Sequence, residues 1–389
     1  MSGGWKTKRR IVITVSVLSA SLLALTVGLT RRILWHADVM PTPLPQIAGR
    51  RRIDLPPQKT SATTPPVAPA AESATGMQMC GLGRVLPTTA DAGNITEYVE
   101  GVTREAHERW ETALLGSSDS RARAVGLVVQ SAEYYRGDLP VQAEESRDEL
   151  ARLAATSKEP TIYALAVGLC RTYLSDPVTG GACARLSISE WTHVDPDNAE
   201  PWIAAAQAAR RSADSSAEAS AFERAATAHS MNNSSESLVS VGLTQIPQDV
   251  LPLEKAAITT ELFGYLAAWA QPGFREISEY CSTEALQQGK IRNECNAIAE
   301  LMVDRRSTLL NSMVGTRTGE RVGWPAERLN RLRSELEAMM GFDPISHQEP
   351  WSCQSVSRLN TYMERRAQVG EREAIKEQLE NSAQPAASP

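Results

Sequence analysis

Two hydrophobic patterns divide the chain. From Ile11 to Thr30 it reads IVITVSVLSASLLALTVGLT, 20 positions without a charged residue. At about 1.5 Å per residue such a run spans a hydrocarbon layer of roughly 30 Å, and a helix there satisfies its own backbone hydrogen bonds. The run predicts a transmembrane helix over 11–30, with the lipid bilayer as its partner. A cleaved signal peptide would have a shorter apolar core and a small-residue cleavage site. Here the run ends in Thr30-Arg31-Arg32, which reads as a stop, and no Cys follows closely. An uncleaved anchor is the preferred reading.

The second pattern begins near Asp91. Apolar residues recur at three- and four-residue spacing between short breaks, as in amphipathic helices. Helices are expected at about 95–115, 119–135, 141–157, 160–175, 180–194, 199–212, 215–230 and 235–245. Others follow at about 252–270, 273–288, 290–313, 325–341 and 351–379. Many starts carry Ser, Thr, Asp or Pro and many ends carry Gly, which are capping signals. Trp324-Pro325 puts proline in a first turn, where its missing N–H costs nothing. Between the two patterns, 31–79 is rich in Pro and Ala, a composition that denies helix and favours an extended linker. The expected fold class is all-α: transmembrane helix, Pro-rich linker, then antiparallel helical hairpins of the α-solenoid kind over 80–380, closed by a disordered tail over 381–389.

Composition agrees, because aromatics are only 5% and Ala, Leu, Glu and Arg dominate after the linker. Charge adds polarity to the picture. Residues 1–52 hold nine basic side chains against Asp38 alone, which leaves 31 basic and 45 acidic residues in the remainder. An acidic domain is repelled by phosphate backbones, so nucleic acid is not an expected partner and an unidentified protein or peptide is. Lys6, Lys8, Arg9 and Arg10 precede the span and Arg31 and Arg32 follow it. That bias predicts a cytoplasmic tail over 1–10 and a large domain outside, in the periplasm of a bacterial cell.

Six cysteines, Cys80, Cys170, Cys183, Cys281, Cys295 and Cys353, bear on the same question. An even count fits disulfides and an oxidising compartment, against six buried free thiols in a reducing one. Cys170 and Cys183 stand 13 apart across a turn signal, and Cys281 and Cys295 stand 14 apart across another. Each pair suits the two arms of a hairpin near its turn. Cys80 and Cys353 then pair by elimination. Zinc ligation is disfavoured, since no C-x2-C and no nearby His pair exists.

The segment 161–230 resembles the tetratricopeptide repeat. Trp202-x2-Ala205-Ala206-x2-Ala209 fills the first helix of the motif, and Phe222 and Ala225 follow at its spacing in the second. Asp195-Pro196-Asp197-Asn198-Ala199 matches the inter-repeat turn, and Ala184-x3-Ile188 fits part of a preceding hairpin. Glu218, Ala209 and Trp191 depart from the pattern. The resemblance implies paired helices whose core is Trp202, Ala206, Phe222 and Ala225, and a role as a protein-interaction scaffold.

Chemistry is sparse. His36, His107, His193, His229 and His347 include no pair at metal spacing, so no metal or cofactor is expected. No G-x-S-x-G and no phosphate loop is present, and Cys80-Gly81-Leu82-Gly83 reads as a turn. Periplasmic lytic transglycosylases offer one comparison, since they are helical and use a Glu followed by Ser. Glu145-Ser146 and Glu236-Ser237 resemble that signature, and Gly76-Met77-Gln78-Met79 looks like part of their second motif but precedes both. Trp110, Trp191, Trp202, Trp269, Trp324 and Trp351 are expected as hairpin core. The expected function is a membrane-anchored extracytoplasmic scaffold without catalytic residues. The alternative is an enzyme acting on envelope polymers.

Overall fold

The structure, a computed structural model of the chain, describes residues 77–85, 95–136, 139–172, 181–231, 234–269, 273–345 and 349–383. The expected span over 11–30, the Pro-rich stretch to residue 76, His36, His347 and the tail from residue 384 lie outside the described residues. Among the described residues no helix is long and apolar enough to cross a membrane.

Fifteen α-helices account for most of the described chain. They are α1 Ile95–Leu115, α2 Ser120–Arg136, α3 Pro140–Ser157, α4 Pro160–Thr172, α5 Ile188–Val194, α6 Ala199–Arg211, α7 Ser215–Ala226 and α8 Ser234–Thr244. There follow α9 Pro252–Trp269, α10 Phe274–Tyr280, α11 Gly289–Met302, α12 Leu309–Val322, α13 Ala326–Met340, α14 Cys353–Val369 and α15 Glu371–Ala383. Contacts divide the chain into one unit of Met1–Met77 and Leu86–Val99 and a second of Gln78–Val85 and Glu100–Pro389. In the first, Met77 and the opening of α1 are described. The second holds the core.

Several boundaries differ from the sequence reading, each for a local reason. Met77–Met79, assigned to the end of the linker, form a strand (β1) that pairs with Gly83–Val85 (β2), and Met79 is buried. The glycines at 81 and 83 take positive φ in the turn, which only glycine does without strain. The helix expected over 290–313 is two helices, broken after Met302, with Thr308 capping α12 through a hydrogen bond accepted from Asn311 N. The helix expected over 351–379 is also two, parted at Gly370 with φ +88°. The expected helices at 180–194 and 273–288 each contain a 3-10 turn, Gly181–Arg185 and Ala285–Gln287, beside a two-turn helix. The last helix continues to Ala383, into the expected tail.

Packing within the second unit follows chain order only in part. Neighbours pair as hairpins: α2 with α3, α6 with α7, and α11 with α12. A one-dimensional stack would confine each hairpin to its sequence neighbours. Instead α8 and α9 return to pack on α2 and α4, and α14 covers both α8 and α9. Trp110 is fully buried here and donates its indole N–H to the Gly242 carbonyl on α8 at 2.9 Å. Gly242 has no room for a side chain, because a Cβ would stand 2.6 Å from Leu262 of α9. That close approach brings α1, α2, α8 and α9 to one place. The second hydrophobic cluster joins α6 and α7 to α10 through α13, with Ile203, Phe222, Ile277, Ile298 and Met302 wholly buried.

Candidate functional site

The six expected disulfide residues join in three pairs. Cys80–Cys353, Cys170–Cys183 and Cys281–Cys295 have Cα separations of 4.5, 5.8 and 5.8 Å. The first ties the β1–β2 turn to the start of α14, where Cys80 N also donates to the Trp351 carbonyl at 2.9 Å. Cys183 sits in the 3-10 turn rather than on a helical arm, and packs with Cys170, Ala151 and Ala182.

The expected repeat core lies in the α6–α7 hairpin. Ala206, Phe222 and Ala225 are buried, while Trp202 is half-buried and donates to the Pro196 carbonyl at 2.8 Å with Arg224 over its ring. Asn198 and Asp214 cap α6 and α7 through their side chains. After α7 the chain returns to the turn before α6: Ala199 N donates to the Ser230 carbonyl, and His229 N and Ser230 N donate to the Asp197 carbonyl. Phe222 stacks on Tyr280 of α10 at 3.8 Å, so this hairpin's aromatic core extends into the following helices. Of the other tryptophans, Trp110, Trp191 and Trp324 are buried and Trp351 is half-buried.

The Glu145-Ser146 pair does not stand in a pocket of the required kind. An acid catalyst needs a desolvated carboxyl. Glu145 is exposed on α3, and Ser146 beside it is buried and donates to Gln130 Oε1 at 2.8 Å. Glu236 lies in α8, with its side chain outside the described residues. Met77–Met79 are in the β1 strand. A cleft of about 360 Å³ beside α13 and α15 is lined by Arg305, Arg372 and Lys376 and by Glu335, Glu373 and Glu380. Its Glu335 side chain is 44% exposed, so that cleft holds no desolvated acid at this position.

The densest chemistry lies where spacing along the chain gives no signal. His107 of α1, Glu133 of α2 and Glu261 of α9 each offer one ligand atom within 4.8 Å of the others. His107 Nε2 lies 3.1 Å from Glu261 Oε2 and 4.0 Å from Glu133 Oε1. Nε2 itself is buried, and its contact with Glu261 lacks the alignment of an N–H···O bond. The Tyr265 hydroxyl lies 2.6 Å from Glu133 Oε1 and 2.5 Å from Glu261 Oε1. One turn from His107, Glu111 faces the same place. Burial pushes its carboxyl above the ordinary glutamate range, with Glu133 and Glu108 adding to the effect, while His107 and a hydrogen bond from Gln130 oppose it. For His107, burial pulls the imidazole down, but contact with Glu261 and the charges of Glu133 and Glu111 outweigh it and leave it above its ordinary value. His193 and His229 are exposed, as expected of ordinary surface histidines.

A cross-helix cluster of this kind was not legible in one-dimensional spacing. Its only linear trace is a pair of ligating types at helical intervals on two helices, His107-x3-Glu111 and Glu261-x3-Tyr265. Comparison with protein-family models, curated proteins and solved structures finds no match for this chain.

Proposed function

We propose that the chain is a membrane-anchored scaffold of the cell envelope, with its helical domain outside the cytoplasmic membrane and presented to protein or peptide partners. The observation that carries this reading is that all six cysteines are paired and none is free. Disulfides persist in oxidising compartments, and three of them suit a domain exposed outside the cytosol. The uncharged run over 11–30 supplies an anchor, and its more basic N-terminal flank supports a cytoplasmic tail. The α6–α7 hairpin, with Ala206, Phe222 and Ala225 inside, supports a tetratricopeptide-like element in the binding domain. A polymer-cleaving enzyme is the weaker reading, because Glu145 is exposed.

The test combines topology with partner capture. Thiols are trapped in intact cells and the protein is mapped by non-reducing peptide mass spectrometry. Alkaline phosphatase is fused after residue 60 or after residue 383. Linked peptides for all three pairs and active fusions are expected, together with a reproducible cross-linked partner that is lost when residues 196–230 are disrupted. Trapped free thiols with inactive fusions overturn the location. Cross-linking that returns the same background with and without the disruption overturns the scaffold role.

A further inference from the structure

We propose that His107, Glu133 and Glu261 form a binding site for a divalent transition-metal ion, with zinc the ion that its donors suit best. The three residues come from α1, α2 and α9, which lie far apart in the chain, and their ligand atoms converge within 4.8 Å. Donors about 2.0–2.2 Å from a tetrahedral zinc ion stand roughly 3.3–3.6 Å from one another. The observed 3.1 and 4.0 Å from His107 Nε2 to the two carboxylates bracket that separation.

Two further observations point to a cation rather than to a simple ion pair. The buried Nε2 has no aligned hydrogen-bond partner, although Glu261 Oε2 lies 3.1 Å from it, so its bonding capacity is not met by either carboxylate. The Tyr265 hydroxyl has one proton to give but lies within hydrogen-bond distance of two carboxylate oxygens. The two carboxylates converge on that one hydroxyl, and a cation between them would offset their like charges. An imidazole with two carboxylates is a borderline donor set that favours zinc and its neighbours. Magnesium and calcium prefer all-oxygen sites. Three protein ligands leave a fourth position for water. The Glu133 and Glu261 side chains are 36% and 26% exposed, which gives an ion a path to the buried nitrogen. Bound there, it ties α1 and α2 to α9.

The experiment uses the full chain in detergent, stripped by a chelator and titrated with zinc sulfate by calorimetry. One ion per chain is expected, with a higher unfolding temperature that magnesium sulfate at the same concentration does not produce. Cobalt in place of zinc is expected to give visible ligand-field bands. His107→Ala and Glu261→Gln are each expected to weaken zinc binding by at least about tenfold. Glu145→Gln, on an exposed face of α3, is expected to bind as the parent does. Wild-type protein that takes up no zinc overturns the proposal without recourse to any variant. So does a folded His107→Ala protein that binds zinc as tightly as the parent, or equal binding of magnesium. Circular dichroism and intact disulfides establish folding, and the half-exposed Glu133→Gln stands in if His107→Ala does not fold.

Discussion

Tyr280 and Gly319 show how single side chains are constrained. Tyr280 stacks on Phe222 and donates its hydroxyl to Glu294 Oε2 at 2.5 Å, and the Glu294 residue is 7% exposed. Burial raises the phenol well above its ordinary value of 10.0, and the neighbouring Glu294 carboxylate adds to the rise. Tyr280→Phe is expected to cost about 1.5–3 kcal/mol at neutral pH, because a hydrogen bond to a buried charge is lost. The folded chain holds the phenolic proton more tightly than the unfolded one. That increment is therefore present below pH 10 and declines as pH rises above it, so parent and variant converge in alkaline denaturant titrations. A gap that widens with pH would refute the assignment. Gly319 poses a contest of effects. Alanine is the better helix former by about 1 kcal/mol. A Cβ at 319, however, would stand 2.2 Å from the Trp324 ring, which is held by Asn296 at 2.6 Å and by the Arg328 guanidinium 3.6 Å from its centroid. Overpacking costs about 1–3 kcal/mol, so Gly319→Ala is expected to lower the unfolding temperature and shift tryptophan emission.

At the scale of elements, the break between α11 and α12 is gripped by the first two residues of α15. Glu371 accepts from Leu309 N at 2.8 Å, at the positive end of α12. Arg372 donates to the Val303 and Asp304 carbonyls at 2.7 and 3.1 Å, beside the negative end of α11. Both charges complement the helix dipoles. Arg372 is 8% exposed, and this desolvation lowers its pKa, partly opposed by Glu335, Asp304 and Glu373. Arg372→Met keeps the stem but removes the donor to the Val303 carbonyl and leaves the Asp304 carbonyl with Ser307 N at 2.9 Å. It is expected to cost about 2–3 kcal/mol in chemical denaturation, with Arg372→Lys restoring part, because both bonds come from the one nitrogen Nη1 and an ammonium can also donate to two carbonyls. A neutral Arg372→Met would show that the break is held otherwise. The same junction explains an error of the sequence reading. Apolar periodicity runs from Ile291 past Leu310, and the break between depends on Thr308 as a cap and on Arg372, which is 69 residues from Val303. The first signal is short and the second is non-local. Where caps were local, as at Asn198, Asp214 and Pro325, the boundaries were legible to within a residue or two.

For the whole molecule, periodicity tells which face of a helix is buried but not which partner buries it. Hence the hairpin character was legible, while the return of α8 and α9 to α2 and α4 was not, and neither was the meeting of His107 with Glu133 and Glu261. Cysteine arithmetic reaches further, because six residues with two short spacings leave one long pair. The consequence is a hierarchy of staples. Closing loops with separations of 13 and 14 contributes about 3 kcal/mol each in the chain-entropy model, whereas a separation of 273 contributes about 5.6. Cys80→Ser with Cys353→Ser is therefore expected to reduce global stability more than Cys281→Ser with Cys295→Ser, although the latter pair lies at 0% exposure in the core and loses packing as well. Guanidinium unfolding of the two double variants, each with its remaining disulfides verified, makes the comparison. If the entropic term rules, the long-pair variant unfolds at the lower midpoint. If the local pair proves the larger loss, packing around Cys281 and Cys295 outweighs the long loop, and the start-to-end staple does not set the stability of the domain.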